Sequence, residues 1–233
     1  VDMARESKGK GENCKVHIVH LSSDEALETI AQAKSEGLRF TAETCPHYLT
    51  IASETIPDGK TLFKCCPPIR ENKNRENLWQ AITDGRLDFI VSDHSPCTPE
   101  LKHIDTGDIE KAWGGISALQ FGISLIWTEA KERGFTLVDI VRLMSTETAK
   151  FAGLDSVKGE IKIGNHADFL VFDPNAQFTI TNEMIKHRHN ITPYAGRKVC
   201  GQVEQTFVRG QLVYQQDEYL DTPIGRPLLK GQL

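Results

Sequence analysis

The sequence has no apolar stretch approaching the ~18 residues a membrane-spanning helix needs, and no signal-peptide pattern at its start. A membrane partner is therefore not expected. It has no basic run either. Its 27 Lys and Arg against 32 Asp and Glu leave a net charge of −5 with no local compensation, which argues against a nucleic-acid footprint. Among its six cysteines (Cys14, Cys45, Cys65, Cys66, Cys97 and Cys200) there is no C-x-x-C pair. That spacing argues against a zinc knuckle and fits reduced thiols in an intracellular protein. Internal repeats and low-complexity segments are also missing. What is present, 39% hydrophobic and 25% charged residues over 233 positions, describes a globular chain of one large domain or a large and a small one.

Along the chain, "CKVHIVHLSS" (14–23) alternates and is β-branched, so it predicts a strand. The following "SSDEALETIAQAKSEG" predicts a helix, with Ser22 and Glu25 at capping-box spacing and Gly37 as its stop. "LRFTAETCPHYL" reads as a strand that Pro46 ends, and "TLFKCCPPIR" as a third, short one broken by prolines. "NRENLWQAITDG" predicts a helix and "LDFIVSDHS" a fourth strand. A long polar loop, "PCTPELKHIDTGDIEKAWGG", has the length of a lid or binding loop. Two helices follow, the second capped by Thr136 and Asp139. Beyond Gly153 short strands with glycine turns predict a small all-β unit, with a hairpin signal at Arg209-Gly210.

Strands alternating with helices predict a parallel sheet covered by helices. In such folds ligands and catalysis lie at the C-terminal edge of the strands. His20, His47 and Asp93 fall at three predicted strand ends. Two imidazoles and a carboxylate suit Zn²⁺ or a similar divalent ion. Each histidine alone has an ordinary rival reading as a hydrogen-bonded structural residue; it is their convergence on one sheet edge that favours chemistry. Cys45 and Cys97 lie near the proposed ligands but read as packing thiols. Trp113 with Gly114-Gly115 reads as the closure of a helix start or lid, and His17 as structural.

"TAETCPHYL", "KCCPPIR" and "VSDHSPC", continued by "KAWGGISALQ", "GEIKIGNHADFLVFDPN" and "HRHNITPYAGRKVCGQVEQTFVRG", resemble the cyclic amidohydrolase family, its allantoinase branch most of all. Dihydropyrimidinases, dihydroorotases and hydantoinases share that architecture and supply the alternative reading; non-catalytic scaffold relatives supply another. The resemblance implies an α/β fold: the second half of an amidohydrolase-type (β/α)₈ TIM barrel in residues 1–153 and part of a small β-sandwich in residues 154–233. It implies two divalent metal ions, zinc first among the candidates, with His20 and His47 ligating the second ion. Asp93 would ligate the first ion and act as proton shuttle. Cys66 and Ser95 would line the substrate pocket, and His94 would support the site by donating a hydrogen bond from behind. The implied reaction opens the hydantoin ring of allantoin to allantoate by a metal-bridging hydroxide, in a homotetramer that is cytoplasmic, or mitochondrial or peroxisomal in a eukaryote.

Two elements of that family pattern are missing. A His-x-His pair after the first barrel strand and a bridging carboxylated lysine on the fourth have no counterpart here. The one His-x-His, His187 and His189, follows no hydrophobic strand and reads as a polar connector. The expectation is a C-terminal portion of a longer enzyme, with the strand of His20 as the fifth of the barrel and negligible activity in this portion alone.

Overall fold

The computed structural model describes residues 1–12 and 14–229. These form two compact units, one from Val1–Gly122 with Thr181–Gly196, the other from Ile123–Ile180 with the chain from Arg197 onward.

The first unit opens with α1 (Asp2–Gly9), whose Arg5 pairs with Glu36 at 2.7 Å. Then come β1 (Lys15–Ile18), α2 (Leu27–Ser35), β2 (Arg39–Thr44), α3 (Pro46–Thr50), α4 (Asn72–Thr83) and β3 (Phe89–Ile90). The three strands form one parallel sheet in the order β1-β2-β3. Burial alternates along β2, as a pleated strand requires, with Phe40, Ala42 and Thr44 turned inward. Leu27, Ile30 and Ala33 form the buried stripe of α2, and Leu78, Trp79, Ala81 and Ile82 that of α4. At the sheet's opposite end Lys34 donates to Asp88 at 2.8 Å, while the same carboxylate accepts the amide of Ala42 at 2.7 Å.

Two local expectations are corrected. Residues 61–70 are not a strand: a 3₁₀ turn at Thr61–Phe63 leads into irregular backbone, because Pro67 and Pro68 cannot donate to a ladder. Three parallel strands therefore stand where four were expected. The Ser22–Glu25 capping box does not form either. Ser23 precedes a 3₁₀ turn, Asp24–Ala26, without a side-chain cap. Asn74 of α4 does the capping from outside: its Oδ1 accepts the Asp24 amide at 2.7 Å, and its Nδ2 donates to the Ser22 carbonyl at 2.8 Å.

In the second unit, α5 (Gly122–Glu132) is followed by α6 (Leu137–Val141), which starts on the Thr136–Asp139 capping box as expected. A π-helical turn, Arg142–Thr146, continues into α7 (Glu147–Ala152), and Gly153 closes it at φ 70°. Strands β4 (Phe169–Thr179), β5 (Lys198–Val208), β6 (Gln211–Gln215) and β7 (Glu218–Tyr219) then form an antiparallel sheet in chain order. Arg209 and Gly210, at φ 48° and 78°, make the two-residue hairpin that their sequence announces. No helix among the described residues is long and apolar enough to cross a membrane.

Asn74 holds the loop that follows β1 through two bonds at a buried position. Asn74→Ala is expected to lower the unfolding free energy by about 2–3 kcal/mol, since both backbone partners lose their bond without gaining water. Urea denaturation monitored by far-UV circular dichroism checks this; an unchanged midpoint would contradict it.

Candidate active site

Parallel strands deliver their C-terminal ends to one edge, and each of the three ends here carries an ionisable group. His20 follows β1, Cys45 and His47 follow β2, and Asp93 follows β3. The ends are tied to each other. The Leu21 amide bonds to the Glu43 carbonyl at 2.8 Å, the Thr44 hydroxyl to the Leu21 carbonyl at 2.8 Å, and the Val91 amide to the Thr44 carbonyl at 3.1 Å. His20 and Asp93 both adopt left-handed backbone, at φ 38° and 42°. For residues with a Cβ that conformation costs of order 1–3 kcal/mol and persists where surroundings over-determine it, most often at functional sites.

His47 sits in the first turn of α3 behind Pro46, which favours a helix start there. It is fully buried, its Nε2 lies 3.9 Å from Asp93 Oδ2, and neither of its ring nitrogens has a hydrogen-bond partner. His20 Nδ1 is buried without a partner as well. Three orphaned imidazole nitrogens near one carboxylate are costly unless something binds them. Burial, aided by the nearby His20, pushes His47 down to about 3. Burial raises Asp93 above the usual carboxylate range, against the opposing pull of His20.

The thiol of Cys45 joins this group. Its Sγ, a nitrogen of His47 and a carboxylate oxygen of Asp93 all lie within 4.8 Å of one another. With no cation, burial and the charges of Asp93 and Glu43 push the thiol far up, so it is a neutral packing group. Beside a divalent ion it would be a potential third donor. The sequence signal for it was the C-P-H triplet, which fixes thiol and imidazole two residues apart at one strand end.

His94 faces away from this cluster in its contacts. Its Nδ1 accepts the amides of Ala118 at 3.1 Å and Leu119 at 3.2 Å, so the bonds it makes there are accepted, not donated. Its ring packs edge-to-face on His187, 5.0 Å away, which places the His187-Arg188-His189 segment beside the strand-end loops. Ser95 is held by its amide to the Ile116 carbonyl at 3.0 Å, and its hydroxyl receives the Trp113 indole N–H at 3.2 Å. Cys66 is exposed, and Cys97 and Cys65 are buried. A Cβ on Gly114 would fall 2.6 Å from Cys66 Sγ, and one on Gly115 would fall 2.3 Å from Ser95 Oγ. The W-G-G stretch thus brings backbone against both residues, at a closeness that only glycine allows. His17 is structural: its Nε2 meets Glu43 at 3.0 Å and its Nδ1 meets Thr41 at 2.8 Å.

A parallel sheet with imidazole, thiol and carboxylate groups at its C-terminal edge defines a candidate metal site of an α/β protein. Residues 7–213 match the amidohydrolase family, and the chain belongs to it. Among curated proteins it is similar to the allantoinases of Streptomyces avermitilis (49% identity over 222 residues), Saccharomyces cerevisiae (46% over 218) and Arabidopsis thaliana (44% over 220). Those alignments cover 95%, 93% and 93% of this chain but 49%, 46% and 43% of the relatives, so the chain spans about half their length. Among solved structures, the L-hydantoinase (dihydropyrimidinase) from Arthrobacter aurescens superposes with a TM-score of 0.83 at 29% identity, covering 91% of this chain and 47% of that one. The D-hydantoinase from Thermus sp. gives 0.83 at 27% identity, with 94% and 48% coverage. The fold is accordingly the C-terminal part of an amidohydrolase-type α/β barrel with antiparallel strands following it. The family implies the use of divalent metal, and the unpartnered imidazoles beside Asp93 fit such an ion.

In the metal-free protein, the depressed His47 has a sign that can be checked. The unfolded chain takes up a proton near 6.5 and the folded one only near 3. Unfolding free energy should therefore fall as pH drops through that window, and His47→Gln should flatten the fall. Denaturant titrations at a series of pH values, with chelator present, measure this; identical slopes in the two proteins would refute it.

Proposed function

We propose that the whole protein containing this sequence hydrolyses allantoin to allantoate. Supporting this is one observation above the others: orphaned, buried nitrogens of His20 and His47 converge with Asp93 at one sheet edge, in a chain about half of whose residues match those of an allantoinase. His20 and His47 would hold one divalent ion and Asp93 the other, with a bridging carboxylated lysine outside this sequence. Zinc is the first candidate for both ions. When bound, they supply the Lewis acidity that makes water nucleophilic at neutral pH.

The residues of this chain do the rest. Asp93 accepts a proton from the attacking water and passes it to the departing ring nitrogen. Cys66 and Ser95 line the pocket that orients the hydantoin ring, and His94 supports it by accepting the amides of Ala118 and Leu119. Residues 1–153 are assigned to the barrel and residues 154–233 to the sandwich part. The assembly is a homotetramer of an intracellular enzyme, a placement consistent with six free cysteines. A dihydropyrimidinase-like activity is the second reading, favoured by the hydantoinase structures.

Steady-state hydrolysis by the full-length protein, with allantoin, dihydrouracil and dihydroorotate compared, separates the readings. Allantoin should give the highest kcat/KM, and chelation should abolish turnover. Asp93→Asn should lower kcat by about 10²–10⁴-fold, the span of a lost general acid–base group. No turnover of allantoin would reject the proposal.

A further inference from the structure

In sequence, Lys102 looks like any other charge of its polar loop, among Glu100, Asp105, Asp108 and Lys111. In the structure it is 2% exposed. Its Nζ donates to three backbone carbonyls, of Lys64 at 2.8 Å, Trp113 at 2.8 Å and Gly115 at 2.5 Å. An ammonium has three N–H donors, and this set uses all of them. The acceptors are neutral, so a positive charge has been taken from water with dipoles alone to hold it. Burial accordingly pushes the amine down to about 8. A hydrocarbon side chain would fill the same space without that cost. It could not gather three carbonyls from two separate segments onto one point.

Those segments carry the pocket. Lys64 lies two residues before Cys66, and Trp113 bonds to the Ser95 hydroxyl at 3.2 Å. Gly114 presses on Cys66 and Gly115 on Ser95 at distances that leave no room for a methyl group. A small slip of residues 113–115 against residues 64–67 would therefore move both pocket residues together.

We propose that Lys102 is a positioning residue, an ammonium clamp that fixes residues 64–67 against residues 113–115 and so sets the spacing of Cys66 and Ser95 for the substrate. The assignment rests on the pocket proposed above. Lys102 bonds backbone only from behind the wall, and its effect on the reaction is indirect.

The test compares the full-length protein with Lys102→Met and Lys102→Gln. Three quantities are read: bound metal per chain, the rate of Cys66 alkylation by iodoacetamide resolved by peptide mass spectrometry, and kcat and KM for allantoin. In Lys102→Met, Cys66 should be alkylated about tenfold faster as the segments open locally. KM should rise so that kcat/KM falls about 10- to 100-fold, the scale of an ångström-sized misplacement. Metal content should not change, and Lys102→Gln, keeping two donors, should lie between. Wild-type alkylation and KM in Lys102→Met would overturn the proposal. So would a loss of metal and kcat with KM unmoved, which would mark the lysine as structural only. If Lys102→Met does not fold, Lys102→Gln decides, and wild-type values there overturn the proposal. A wild-type protein that leaves allantoin intact refutes the proposed function, while the alkylation rates still judge the clamp.

Discussion

Parallel pairing of β1, β2 and β3 is the constraint from which the site follows. An antiparallel ladder would send alternate strand ends to opposite edges; a parallel one sends all of them to the same edge. His20, His47 and Asp93 lie 27 and 46 positions apart in sequence, yet the ladder makes them neighbours. The ladder also explains the tolerance of left-handed backbone at His20 and Asp93. Each sits two or three residues beyond a strand whose register is fixed by its neighbour, so the local cost is borne where the surroundings over-determine the backbone.

How much of this was legible in the sequence depended on the kind of signal. The alternation of β2 and the apolar stripes of α2 and α4 are periodic, and they were readable because burial of one face imposes the period. The Thr136–Asp139 cap was readable because both partners are three residues apart and need nothing from the rest of the chain. The Ser22–Glu25 cap has the same spacing and does not form; Asn74 from a distant helix holds that turn instead, accepting the Asp24 amide and donating to the Ser22 carbonyl. "TLFKCCPPIR" misled for a related reason. Its apolar content is real, with Cys65 and Ile69 buried, but two prolines remove the donors a ladder would use.

The site shows the same division. Ionisable residues at strand ends could be marked from the pattern alone, whereas the glycines after Trp113 read as a helix start or lid, and the close approach they allow shows only in the structure. Cys45 looked like packing because a buried neutral thiol and a potential ligand are the same side chain in two circumstances. Lys102 could not be marked at all. Its distinction lies in three carbonyl partners drawn from positions 38, 11 and 13 residues away, and backbone carbonyls leave no trace in a sequence.

Asn74 also bears on the order of events when the chain folds. Its two bonds reach back 50 and 52 residues, so they close loops far longer than those within any helix of the unit. Contacts of that separation form after local ones, since the entropy of closing the loop must be met before any bond compensates it. The turn after His20 therefore acquires its final shape only when α4 docks. The helices can be complete in a species whose turn after His20 is still open, because no bond within a helix spans such a distance.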